Sequence, residues 1–134
     1  MKKVRMGMVG GGAGAFIGAI HRAAAAMDAQ IEFVCGALSG DPERARYSGL
    51  DLGIDPSRCY TSYQEMFATE AALPEEQRMQ FVSIVTPNHM HFPVAKQALE
   101  AGFHVLSDKL ATLNLREALE LKTLVDNNNC LYGL

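Results

Sequence analysis

Four glycines in five positions, Gly10-Gly11-Gly12-Ala13-Gly14, followed by Ala15 and Phe16, interrupt an otherwise apolar start to the chain. Such a run has no side chain for acid–base work; what it offers is backbone N–H groups that a ligand can approach closely. The pattern G-x-G-x-x-G/A is informative only between a strand and a helix. That context is present: Val4 to Val9 is a short apolar run ending at the glycines, and Ala15 to Met27 is Ala-rich and long enough for several helical turns. Gly10 then permits the tight turn, Gly12 lets the backbone approach a pyrophosphate, and the helix N-terminus presents free N–H groups and a partial positive charge to it. The register stays open, because Gly18 could equally supply the close helix-to-sheet contact if the loop is longer. A Gly-rich turn without a ligand is the bland alternative.

About 20 residues beyond such glycines, an acid at the end of the second strand holds the ribose hydroxyls of NAD. Ser39 stands there instead, followed by Gly40. A serine cannot replace a bidentate acceptor, but it leaves room for a 2′-phosphate, with Arg44 one helical turn into the next helix as its partner; NAD and NADP both stay open as cofactors. The plainer reading of Arg44 and Arg46 is as solvated helix charges.

The elements that must position these residues follow from local signals. Ile31 to Leu38 is β-branched and apolar, and Asp41-Pro42-Glu43 supplies an N-cap, a first-turn proline and a first-turn acid. Ser62 with Glu65 forms a capping box for a third, short helix. Phe81 to Val85, stopped by Thr86-Pro87-Asn88, reads as a strand buried on both faces. Pro93 suits the first turn of the next helix, with Gly102 as its C-cap and Phe103 to Leu106 as another strand. Asn114 with Glu117 caps a helix running to about Asp126, and Cys130 to Leu134 looks like one more strand. Strands alternating with helices through short connections give an α/β fold, a doubly wound and mostly parallel Rossmann-type sheet.

Composition narrows the classes. The chain has 134 residues, enough for one domain, and an apolar fraction of 49% with 20% charged residues, ordinary for a folded protein. A net charge of −3 without basic clusters beyond Lys2, Lys3 and Arg5 argues against nucleic acid. Cys35, Cys59 and Cys130 are far apart, with no C-x-x-C pair, and read as reduced buried thiols rather than metal ligands. The basic start and the uncharged stretch Met6 to Ile20 mimic a secretory signal, yet six glycines in it would weaken the compact helix a signal needs. The expectation is a cytoplasmic protein without a membrane partner.

The run Thr86-Pro87-Asn88-His89-Met90-His91, a helix from Phe92 to Ala101, and Gly102-Phe-His-Val-Leu-Ser-Asp108-Lys109 are more specific. Together with the glycine turn and Asp41-Pro42-Glu43-Arg44-Ala45, they closely resemble the Gfo/Idh/MocA oxidoreductases, whose members typically read T-P-N-x-x-H, then a helix ending in A-G, then H-V and Glu-Lys-Pro. The resemblance spans the whole chain. It implies NAD(P)-dependent oxidation or reduction of a sugar, an inositol or a similar polyol by a parent enzyme that is often oligomeric. It further implies that Thr86, Pro87, Asn88 and His91 line the cofactor at the carboxyl end of the fourth strand, that Lys109 stands near the nicotinamide and the substrate oxygen as a charge stabiliser or proton carrier, and that Asp108 orients it. Two positions depart from the pattern: Asp108 replaces the usual glutamate, and Leu110 the usual proline, which frees a backbone dihedral beside the lysine. Taken singly, His89 and His104 read as surface or packing residues.

Family members continue into an α+β substrate domain that has no counterpart here, so residues 1–134 are expected to be the cofactor-binding domain of a longer two-domain enzyme, able to bind but not to catalyse alone. A free-standing nucleotide-binding or regulatory module is the competing reading. A phosphate-binding hydrolase fold is disfavoured by the absence of G-x-x-x-x-G-K-[ST] and G-x-S-x-G patterns. The substrate is not legible.

Overall fold

The computed structural model describes residues 2–134. In chain order it contains β1 (Val4–Gly10), α1 (Ile17–Ala26), β2 (Ile31–Ala37), α2 (Pro42–Asp51), a 3-10 turn (Pro56–Arg58), α3 (Tyr63–Ala72), β3 (Phe81–Val85), α4 (Asn88–Glu100), β4 (His104–Ser107), α5 (Leu115–Asn128) and β5 (Tyr132–Gly133). The strands form one sheet in the order β2-β1-β3-β4-β5, with every pair parallel. This is the doubly wound α/β architecture. The chain leaves β1 to one side for β2 and crosses to the other side for β3, so the loops after β1 and β3 part and leave a crevice between them.

Alternation along the strands divides the core between the two faces. Met6 and Met8 of β1 join Leu38, Ile54, Cys59 and Val85 on one face, against Ile17 and Ala25 of α1. Val9, Val82 and Ile84 turn to the other, against Met66 and Phe67 of α3 and Val94, Ala95 and Leu99 of α4. From Val82 to Val85 every residue is buried, as a central parallel strand requires. All three cysteines are free and buried, and burial pushes their thiols up from the ordinary range.

Several elements depart from the sequence reading. Phe81–Val85 is the third strand, not the fourth that the resemblance implies, because only β1 and β2 precede it; residues 52–61 form the 3-10 turn and a single bridge between Gly36 and Cys59. Helix α1 begins at Ile17, two residues later than expected, since Gly14 turns the chain at φ +84°. Helix α4 begins at Asn88, about one turn before the expected start. Pro87 occupies its N-cap, and Pro93 lies inside the helix, where it has no N–H to donate.

One buried network braces this side of the sheet. The Glu70 carboxylate on α3, 0% exposed, accepts from Arg58 through both oxygens at 2.9 and 2.7 Å, from the Tyr60 hydroxyl at 2.9 Å and from the Met79 amide at 2.9 Å. Burial, then the bond to Glu70, pushes the Tyr60 phenol well above its ordinary range. The network ties the 3-10 turn to α3 and so sets where Thr61 to Gln64 lie.

Candidate cofactor-binding site

A cleft of about 650 Å³ opens at the carboxyl ends of β1 and β3. Its floor is Gly10 to Ala15; one wall is Leu38, Ser39, Gly40 and Arg44, and the other is Val85, Thr86, Pro87 and Met90, with Thr61 to Gln64 closing the far side. Of the residues expected to hold a cofactor or act beside it, Gly10, Gly12, Gly14, Ala15, Ser39, Arg44, Thr86 and Pro87 meet here. Five others do not line it. Phe16 is 79% exposed at the N-cap of α1. Asn88 is exposed at the first position of α4, and Asp108 and Lys109 lie beyond the next strand. His91 is buried behind the Thr86 loop, where it bonds to backbone rather than facing the cleft.

The glycines divide the work differently from the expectation. Gly10 does make the tight turn: its φ is +84°, and a Cβ there would stand 2.9 Å from the Thr86 amide nitrogen. Gly12, expected to admit a pyrophosphate, lines the cleft and is also packed by the chain itself. A Cβ on it would lie 2.6 Å from the Leu38 carbonyl oxygen, and its own N–H donates to that oxygen at 2.8 Å. Gly14 is the one with open space, at φ +84° with nothing within 4 Å of an added Cβ. Gly18 supplies the close contact, since its Cβ would meet the Gly11 Cα at 2.5 Å.

Two side chains that sequence reading missed hold the turn in place. The Ser48 hydroxyl on α2 accepts from the Ala13 amide at 2.9 Å. Arg22 on α1 donates to the Gly11 carbonyl at 2.8 Å, and burial lowers its pKa from the ordinary value. Neither belongs to a local motif, so only the tertiary approach of α1 and α2 to the turn reveals them.

Helix capping separates this site from the rest of the fold. Asp41, Ser62 and Asn114 cap α2, α3 and α5 with side-chain oxygens. No side chain caps α1 or α4, the helices that follow Gly10–Phe16 and Thr86–Pro87. Their first N–H groups have no intrahelical acceptor, and the helix dipoles add positive potential at those ends. Uncapped α1 over an open glycine turn suits the diphosphate of a dinucleotide.

On the second wall, the Ser39 hydroxyl accepts from the Asp41 amide at 3.2 Å, which leaves its own proton to donate. Gly40 adds no bulk, with nothing within 4 Å of an added Cβ. Arg44 is exposed on this wall and makes no ion pair among the described residues. Lys109 is exposed after β4 and unpaired in the same sense, with its peptide bond to Leu110 in the cis form. Among the described residues no cluster of three or more His, Cys, Asp or Glu could hold a metal, and no helix is long and apolar enough to cross a membrane.

Residues 4–134 match the profile of the Gfo/Idh/MocA oxidoreductases, described as having an NAD-binding Rossmann fold. The chain belongs to this family. Among curated relatives it is 39% identical over 134 residues to the uncharacterized oxidoreductase YfiI of Bacillus subtilis (strain 168), covering 99% of this chain and 34% of that protein. An inositol dehydrogenase homolog from Azotobacter vinelandii, solved with NADH and myo-inositol, superposes with a TM-score of 0.94 at 43% identity, over 98% of this chain and 34% of that one. An oxidoreductase from Sinorhizobium meliloti superposes with a TM-score of 0.90 at 48% identity, over 98% and 36%. The chain thus spans about a third of the length of these relatives, and the part it spans is the family's NAD-binding domain.

Proposed function

We propose that residues 1–134 form the cofactor-binding domain of a longer NAD(P)-dependent dehydrogenase acting on a polyol such as an inositol or a sugar. The carrying observation is the cleft itself: an open glycine turn beneath an uncapped α1, at the point where the strand order reverses. The substrate class is supported by the myo-inositol held by the A. vinelandii homolog. Expected contacts are the α1 amides for the diphosphate, Ser39 and Arg44 for the adenosine ribose, and Thr86 and Pro87 for the nicotinamide side. The dinucleotide, when bound, supplies the hydride acceptor or donor.

This chain's own residues bind, orient and polarise. Lys109, one strand beyond Thr86, is the group we assign to stabilising charge on the substrate oxygen in the full-length enzyme, with Asp108 beside it. Substrate and remaining catalytic groups belong to chain beyond this domain, so the isolated domain is expected to bind cofactor without turnover. An oligomeric parent accords with the family resemblance, and a cytoplasmic one with the glycine-rich start that argues against a secretory signal.

Calorimetric titration with NAD+, NADH, NADP+ and NADPH tests the reading. Binding of at least one is expected, with less than a hundredfold preference between NAD+ and NADP+, about 2.7 kcal/mol, because Ser39 offers neither a bidentate acceptor nor a clash. Silence with all four at millimolar concentration would overturn it.

A further inference from the structure

His91 stands in the first turns of α4 and is 1% exposed. Its two ring nitrogens meet carbonyl oxygens of two different loops. Nε2 lies 2.8 Å from the oxygen of Thr86, after β3, and Nδ1 lies 2.5 Å from the oxygen of Leu110, after β4. A carbonyl can only accept, so making both bonds together requires a proton on each ring nitrogen, Nδ1 and Nε2.

These two loops carry the groups on which the proposed chemistry depends. Thr86 lines the cleft; Leu110 directly follows Lys109. On the other side of the lysine, the Asp108 amide donates to the Ile84 carbonyl at 2.9 Å. Lys109 is therefore bracketed by two anchors, the Asp108 amide on β3 and the Leu110 carbonyl on His91. Leu110 has no ring to restrict its own φ, so the second anchor carries more of the task of fixing that backbone.

From this geometry we infer that His91 is a positioning residue, tying the loop that carries Lys109 to the loop that forms the nicotinamide-side wall of the cleft. The functional consequence rests on the cofactor reading above; the tie itself does not. A histidine that only fills the core would stabilise all its surroundings alike. A tie acts on two segments and spares the rest.

The chain can be tested as it stands by NMR. In the wild-type protein two slowly exchanging ring N–H resonances of His91 are expected, one with cross-peaks to protons of the Thr86 segment and one to protons of the Leu110 segment; a single ring N–H with contacts to the Thr86 side alone would overturn the inference. In His91→Gln, whose single amide cannot span both carbonyls in the same way, exchange of the Asp108 amide, which donates to the Ile84 carbonyl at the start of this loop, is expected to quicken by about tenfold or more, the effect of losing one hydrogen bond. Amides of α2 should stay within about twofold in the same comparison. Equal acceleration in every element, or none at Asp108, overturns the tie. If the variant does not fold, the wild-type ring signal still decides. Adding NAD+ to the wild-type chain separates the two ideas: glycine-turn signals that fail to move count against the cofactor reading and leave the exchange result for His91 intact.

Discussion

Alanine at Gly12 should be among the most damaging single-methyl additions in the site, and its cost follows from two neighbours. The new Cβ would stand 2.6 Å from the Leu38 carbonyl oxygen and 2.9 Å from the Ser48 hydroxyl, and the nearer of these is backbone that cannot rotate away. The turn must lift, which stretches the Gly12–Leu38 bond of 2.8 Å and the Ala13–Ser48 bond of 2.9 Å. Overpacking of this kind costs roughly 1–3 kcal/mol, and each weakened hydrogen bond about 0.5–1.5. The terms overlap, because the movement that relieves the clash is the one that breaks the bonds, so about 2–4 kcal/mol is the working figure. At this chain length each kcal/mol lowers Tm by about 3–5 °C, giving a loss of roughly 6–20 °C by circular dichroism. Gly14→Ala is the control: φ is +84° but the space is open, so only left-handed strain of about 1–2 kcal/mol applies. A Gly12→Ala protein within about 2 °C of wild type, or one more stable than Gly14→Ala, would refute the packing argument.

Removing the cation from the buried network, by Arg58→Met, leaves the Glu70 carboxylate with only the Tyr60 hydroxyl and the Met79 amide; a loss of about 3 kcal/mol in urea unfolding is expected, and less than about 1 would show the pair to be incidental. Because burial raises the pKa of Cys35, Cys59 and Cys130, less thiolate forms at a given pH than on a free cysteine; at pH 8 a thiol reagent should label none of the three in the native chain and all of them after denaturation. In the full-length enzyme, Lys109→Met should reduce turnover by about 10²-fold with cofactor affinity nearly unchanged, whereas a merely solvated lysine would change it by less than about twofold.

What could be read from the sequence was what local signals encode. The caps at Asp41, Ser62 and Asn114 each bond within three residues, to Arg44, Glu65 and Glu117, so the helices they start were visible in advance. Helix α4 was misplaced for a local reason too: Pro93 resembles a first-turn proline, yet the chain begins the helix at Asn88 after Pro87 and tolerates Pro93 inside it. Residues 52–61 offered no periodic signal because they make one bridge rather than a ladder.

The site was half legible, and the missing half is non-local. Gly12 is glycine on account of Leu38, 26 positions away, and the Ala13 amide is held by Ser48, 35 away. A motif names the glycine but not the atom that excludes a side chain from it: at Gly12 that atom is the Leu38 carbonyl oxygen, whereas Gly14 has open space. The same holds for Thr61 to Gln64, which reach the cleft only because the Glu70 network fixes α3 against the 3-10 turn. Even the absence of caps was readable in part: Phe16 and Pro87 stand where the other helices carry Asp, Ser or Asn. That both uncapped ends border one cleft depends on β1 and β3 being neighbours, a pairing that joins residues some 75 apart and that only the folded sheet order provides.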